Sequence, residues 1–546
     1  MRNKLLAAAL AAISFALVAS AAQAAPRPLT GRLLVTFVPQ PGAHAAASAL
    51  MARAGARIAG PVVPKLHLVT VRPAAGETLA QAARRLRALP GVSSVQAERR
   101  YTIRYAPNDP AFKIGDPSAP TVPLEWWAQR ENLPQAWDIT HGHGASVAVI
   151  DTGIDADHPD LASKIDETTD NDADPNSGPA TVDEVGHGTH VASLACARAN
   201  DGIGLVGAGL YCRLLIFKSD FSDSSVAQSI IQATDQGADS INMSFGNDGS
   251  TAVARVVEHA IVYAYHRNVI VVAAAADQPI EEQGDPANVL QPTGTGADLT
   301  QGRGLSVTAA GYADHRATFA GYGSQISLAA YGAYGSGDPG GIFGDFPSPT
   351  VELERTDSSG SACECRTTFQ GDNRYAFLEG TSMATPQVAA VAALVRNLNP
   401  DLNADYIIRL LKRTARRPAG TGWTPDLGWG ILDGGHALKV ASEADFRAPT
   451  SRVKAAATSV VGDVITLNFT SDDKAPTGCV PSGVRSTELW RSFNGGPYRR
   501  VLSTRHSTLR IRVTRGARYA YYTRAVDKAG NREAAPSKPD TVVRTF

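Results

Sequence analysis

The stretch that most restricts the fold is VIVVAAAADQ at residues 269–278, eight small or branched apolar residues followed by an acid. A strand without polar alternation has both faces covered, as in a parallel sheet lying between two layers of helices. Related runs occur from residue 145 onward at ASVAVI, RLLIFK and DSINMS, and between them lie helical stretches such as SVAQSIIQATDQGA and VARVVEHAIVYAYHR. This alternation predicts a doubly wound α/β domain, whose chemistry gathers at the carboxyl ends of its strands. Asp277 is delivered to that place, and it needs a reason to be there.

The 546 residues exceed one ordinary core, so several domains are expected. Residues 1–24 carry Arg2 and Lys4, an Ala/Leu-rich run and a closing Ala-Gln-Ala. That is the layout of a secretory signal peptide, the alternative being an N-terminal membrane anchor. No later run is long enough to span a bilayer, and the mature protein is expected to be exported, extracellular or periplasmic. Residues 25–106 alternate strand-like and helix-like segments, a small α+β unit. PNDPAF at 107–112 reads as a linker, and 333–375, dense in Gly, Ser and Pro, reads as a surface excursion. The α/β domain covers 107–446. Beyond it, 447–546 shows short alternating strands separated by NGG and DKAGN turns, which predicts an all-β sandwich of immunoglobulin or fibronectin type III kind.

A net charge of zero conceals a partition. Residues 25–105 hold 12 basic and 2 acidic side chains, 106–446 hold 20 and 43, and 447–546 hold 18 and 7. The basic C-terminal segment has either an anionic surface as its partner or arginines that merely face solvent. Five cysteines suit an oxidising compartment and leave one unpaired; Cys196–Cys212 is the expected bridge, while Cys363 and Cys365 either pair locally or not at all.

Three short blocks concentrate polar residues against apolar surroundings. AVIDTGIDADHPDL places Asp151 at a strand end, GHGTHVAS opens a helix with His187, and GTSMATPQVAAVAALVRNL starts another with Ser382 in its first turn. Taken singly, each could be a helix cap, and His187 with His190 could be half of a metal site. Taken together they supply a hydroxyl nucleophile, a base and a carboxylate to orient that base.

The order Asp, His, Ser with these flanking residues, together with INMSFG and LGWGILDGG, closely resembles the subtilisin-like serine peptidases, or subtilases. The resemblance covers about 106–446. It implies a subtilisin-like fold, with Asp151 orienting the imidazole, His187 as general base and Ser382 as nucleophile. It also implies an oxyanion hole at residue 277 and Ser382, and Ser244, Phe245 and Gly246 as the segment that pairs with a polypeptide substrate. Residues 25–106 resemble the subtilase prodomain, an intramolecular inhibitor that the enzyme removes itself, and the opposed charges favour its docking. Asp160 and Asp201, with the backbone of Ile203 and Leu205, correspond to a structural calcium site, and such oxygens suit that ion. Neither nucleic acid nor a membrane span is implied. Where the family carries Gly-Asn this chain has Ala276-Asp277, so the expectation is a slower enzyme, with an inactive binding or adhesive module as the rival reading.

Overall fold

The computed structural model describes residues 29–39, 49–74, 76–99, 105–116, 119–247, 249, 254–334, 341–355, 362–418, 420 and 422–546. The expected signal peptide lies outside them. The chain divides into two compact units, Met1–Arg104 and Tyr105–Phe546.

In the first unit, β1 (Leu29–Phe37), β2 (Arg57–Val63), β3 (Leu68–Arg72) and β4 (Val92–Arg99) form an antiparallel sheet in the order β2-β3-β1-β4. Helix α1 (Leu79–Arg87) turns Ala82, Ala83 and Leu86 toward Leu33, Val35 and Val69 on the sheet. Thr78 caps it by accepting from the Gln81 amide, while the Gln81 side chain answers the Thr78 amide, a capping box. This is the α+β unit expected from the alternation.

The second unit is built on seven parallel strands. They are β5 (Ser146–Asp151), β6 (Ile165–Asp170), β7 (Arg213–Lys218), β8 (Ser240–Met243), β9 (Ile270–Ala274), β10 (Leu305–Ala310) and β11 (Leu328–Tyr331), in the order β11-β10-β9-β8-β5-β7-β6. Every residue of β8, β9 and β10 is buried, as the unbroken apolar runs require. Helices α2 (His187–Cys196) and α5 (Thr381–Leu398) share one core with α6 (Ala404–Thr414) and α7 (Gly434–Glu443). Helices α3 (Asp223–Asp235) and α4 (Arg255–His266) belong to the other. Two layers over one parallel sheet is the predicted α/β architecture.

Two local readings are corrected. The presumed linker is part of the catalytic body: Asp109 and Ala111 are wholly buried, and the Phe112 ring lies 5.9 Å from that of Trp137. The Pro and Asp content that suggested a linker instead sets a tight turn. The presumed excursion contains an antiparallel sheet, β12 (Ile342–Asp345), β13 (Arg366–Phe369) and β14 (Asp372–Leu378), in the order β12-β14-β13. Phe343 stacks on Tyr375 at 5.1 Å and anchors it. A few aromatic residues outweighed the surrounding glycine and serine.

The C-terminal strands are β15 (Thr450–Ala455), β16 (Ser459–Val460), β17 (Val464–Asp472), β18 (Val484–Phe493), β19 (Arg499–Thr504), β20 (Thr508–Arg512), β21 (Arg518–Asp527) and β22 (Thr541–Thr545). They form sheets β15-β17-β20 and β16-β22-β21-β18-β19 around a core that includes Val453, Leu467, Leu489 and Tyr521. Cys196 is bonded to Cys212, and Cys363 to Cys365, leaving Cys479 free.

Candidate active site

The three central strands β9, β8 and β5 are neighbours, and their carboxyl ends carry the polar residues singled out above. Strand β5 ends on Asp151, β8 runs into Ser244-Phe245-Gly246, and β9 leads through Ala275 and Ala276 to Asp277. Asp151 is 1% exposed, and its Oδ1 lies 2.7 Å from His187 Nδ1 while also accepting the Thr152 amide at 2.8 Å. Burial lowers the His187 pKa, but the adjacent Asp151 carboxylate more than offsets this, so the net direction is upward; Asp183 and Asp277 push the same way.

His187 is the first residue of α2, and two glycines bring it to Asp151. Gly186 has φ +96°, and a Cβ there would meet the Phe346 ring at 2.7 Å. A Cβ on Gly188 would come within 2.2 Å of the Gly153 carbonyl oxygen, so only glycine allows the helix to approach β5 so closely. His190, by contrast, is fully buried with Nε2 3.0 Å from the Ile342 carbonyl, and burial lowers its pKa to about 3. It is a neutral packing residue, which removes the reading of a paired-histidine metal site.

Ser382 lies in the first turn of α5, which packs against α2. Its hydroxyl donates to the Ser244 carbonyl at 2.8 Å, and the Ser244 hydroxyl donates to the Ser382 carbonyl at 2.8 Å. This reciprocal pair locks the nucleophile candidate to the end of β8. Beside it, Phe221, Val226, Phe245, Val257 and Pro286 line a cavity of about 290 Å³ whose walls also carry Asp223, Asn247 and Asp285.

Asp277 faces the same helix. Its Oδ1 accepts the Thr381 amide at 2.7 Å and the Thr381 hydroxyl at 2.9 Å, so one oxygen caps the helix that carries Ser382. The residue remains exposed to solvent. Surrounding protein nonetheless raises its carboxyl above the usual range, against the Thr381 hydrogen bonds and the attraction of His187. Asp277 is therefore at the strand end and within electrostatic reach of His187.

Asp183 was not anticipated. It is 4% exposed and accepts from the Thr152 hydroxyl (2.8 Å), the Gly186 amide (2.8 Å), and the Thr189 amide (2.8 Å) and hydroxyl (2.7 Å). One carboxylate thus ties the residue after Asp151 to the first turn of α2. Its place four residues before His187 in a polar loop carried no signal in a single sequence. Asp183→Ala would leave these donors unpaired, and a ~1 Å displacement of a reacting group costs about 10²-fold. The expected result is a kcat reduced by about 10- to 100-fold with KM within about threefold, together with a lowered Tm. A lowered Tm with unchanged kcat would restrict Asp183 to a folding role.

At the expected calcium position, Asp160 is fully buried with Oδ2 accepting the Leu205 amide at 3.1 Å and Oδ1 unpartnered. Asp201 accepts the Ile203 amide at 3.1 Å, and its other oxygen lies 3.7 Å from Arg198 Nε. Asp109, from the misread linker, accepts amides of Asn200 and Asp201 at 2.8 and 3.3 Å. Burial raises the Asp160 carboxyl strongly, and repulsion from Asp345 and Asp201 adds to it. Buried carboxylates with unused oxygens are the donor type that suits a hard divalent ion, but among the described residues only Asp445, Asp473 and Asp527, where α7 meets the sandwich, bring three such oxygens within 4.8 Å of one another.

A buried carboxylate on an imidazole, with a serine at an adjacent helix N-terminus, is equipment for acyl transfer. The family model described as Subtilase family matches residues 142–430, and the chain belongs to that family. It is accordingly a serine endopeptidase. Thermitase from Thermoactinomyces vulgaris is 31% identical over 326 residues, covering 58% of this chain and 94% of that protein. A thermophilic serine proteinase from Bacillus sp. (strain AK1) is 30% identical over 342 residues, 61% of this chain and 70% of the relative. Among solved structures, a protease from Pseudoalteromonas arctica aligns with a TM-score of 0.50 at 27% identity, over 62% of this chain and 99% of its own.

Proposed function

We propose that the protein is an exported serine endopeptidase that cleaves peptide bonds through Asp151, His187 and Ser382, and that matures by removing its own N-terminal segment. The observation that carries this reading is the 2.7 Å contact between His187 Nδ1 and buried Asp151, with Ser382 on the helix packed alongside. The Asp151 carboxylate fixes the tautomer that leaves Nε2 free to accept a proton. Ser382 Oγ leaves its Ser244 acceptor, gives its proton to His187 and attacks the substrate carbonyl. His187 then returns the proton to the leaving amine, and water releases the acyl group by the same steps reversed.

Main-chain groups of Ser244–Gly246 pair with the substrate as an added strand, and the cavity behind Phe245 takes an apolar side chain upstream of the cut. The Ser382 helix N-terminus and residue 277 face the developing oxyanion. Calcium would be held by Asp109, Asp160 and Asp201, where it would neutralise crowded carboxylates and stiffen the loop after α2. Export through residues 1–24 and inhibition by 25–106 complete the reading.

A fluorophosphonate probe tests it. The mature protein should take up one equivalent, and peptide mapping should locate the adduct on Ser382. An unlabelled protein, or an adduct on another serine, would overturn the assignment.

A further inference from the structure

The outer face of sheet β15-β17-β20 is basic and hydroxyl-rich. Arg452 and Lys454 on β15 and Arg510 and Arg512 on β20 flank Thr470, Asn468 and Thr466 on β17. All four cations are exposed, and Arg452, at 79% side-chain exposure, has only a 3.9 Å approach to Asp540. Side chains two apart on a strand stand about 7 Å apart, and β15 and β20, separated by one strand, about 10 Å. In register, Arg452 stands opposite Thr470, Lys454 opposite Asn468, Arg510 opposite Thr466 and Arg512 opposite Val464, so the cations run diagonally across the face, one to each row. The acid at its edge, Asp472, lies 3.4 Å from Lys474 and is already neutralised.

This face continues into a groove. A cavity of about 320 Å³ along Thr450–Arg452 and one of about 430 Å³ along Arg485, Arg505 and His506 share Thr470 and Ser471. The two form one polar track with the guanidinium groups of Arg485 and Arg505 and the His506 ring at its far end. The guanidinium groups on this face contribute nothing to the core, which is apolar without them.

We propose that this face binds an anionic polysaccharide, a linear chain carrying carboxylate or sulfate groups on its sugar rings. Guanidinium groups take the anions in bidentate fashion, and the rows of Thr, Ser and Asn side chains exchange hydrogen bonds with sugar hydroxyls. Single-stranded nucleic acid is disfavoured because such sites stack bases on aromatic rings. The exposed large aromatics of this domain, Phe493 and Phe546, lie on or beyond the strands of the other sheet.

The test uses mature protein blocked with phenylmethylsulfonyl fluoride and measures binding to chondroitin sulfate, neutral dextran and single-stranded DNA. Chondroitin sulfate should bind at low salt and be released as salt rises. Arg452→Ala/Arg510→Ala should weaken Kd by about tenfold or more, whereas Lys528→Ala/Lys538→Ala, with the same charge loss elsewhere, should stay within about twofold. Arg452→Lys/Arg510→Lys, which keeps the charge but loses the bidentate fork, should weaken Kd measurably yet by less than the alanine pair. Absence of binding, equal binding to dextran, tighter binding to DNA, or equal losses in the two alanine pairs would each overturn the proposal.

Discussion

Ser382→Ala is expected to lower kcat by about 10⁶-fold while leaving substrate affinity within a few fold, because the hydroxyl acts on the reacting carbonyl and makes little ground-state contact. A residual rate of about 10³–10⁴ over water should survive, from the helix N-terminus and substrate alignment. The variant should fold, since the change removes a single hydrogen bond, from the hydroxyl to the Ser244 carbonyl, worth about 1 kcal/mol. It should also accumulate a species beginning near Ala25. Wild type should begin upstream of Asp109, because Asp109, Ala111 and Phe112 are buried in the catalytic body. Kinetics on a fluorogenic peptide and N-terminal sequencing check both. Identical N-termini in a host without other proteases would end the case for self-processing.

Asp277→Asn should change turnover in the opposite direction. An ionised carboxylate has no proton to give and repels a forming oxyanion; an amide donates. In subtilisin, loss of the side-chain donor costs about 10²–10³ in kcat, and regaining it here should raise alkaline turnover by up to that amount. The pH dependence follows from two directions of shift. The Asp277 pKa is raised, so its protonated, donating form persists to a higher pH than for an ordinary aspartate and is lost beyond its pKa. The His187 pKa is raised, partly by Asp277, so the neutral base appears only at higher pH. Wild type therefore has a narrowed profile. In Asp277→Asn the alkaline fall should disappear, and the acid limb should move to lower pH because a charge that held the proton on His187 is gone. A variant that is no faster at any pH, with an unmoved acid limb, would confine Asp277 to capping α5.

The parallel sheet, four of its seven strands and the position of Asp277 at a strand end were legible because long apolar runs have one stable environment. The carboxyl-end location of Asp151 and the Ser382 helix start followed from the same runs, since each block joins a polar residue to an apolar element. Asp109 and Asp183 were not legible. Each is an isolated acid in a polar loop, and its importance comes from amides and hydroxyls that arrive from distant positions. The β12–β14 sheet was hidden by glycine and serine, since its stability rests on Phe343 meeting Tyr375, which comes from a distant part of the chain. Composition reports an average, while burial depends on a few residues.

The buried turn at Pro110–Phe112 matters for a protein that digests proteins. Loose ends are where a protease attacks its own kind, because only an extended, unpinned strand can enter a cleft. Here the amide of Ala111 donates to the Gly204 carbonyl at 3.0 Å, and the Glu125 amide donates to the Ala111 carbonyl at 3.0 Å. The segment is thus stitched into the body on both sides. Under the proposed self-processing, trimming from that end should stall near Asp109, where the chain offers no further unpinned strand as substrate.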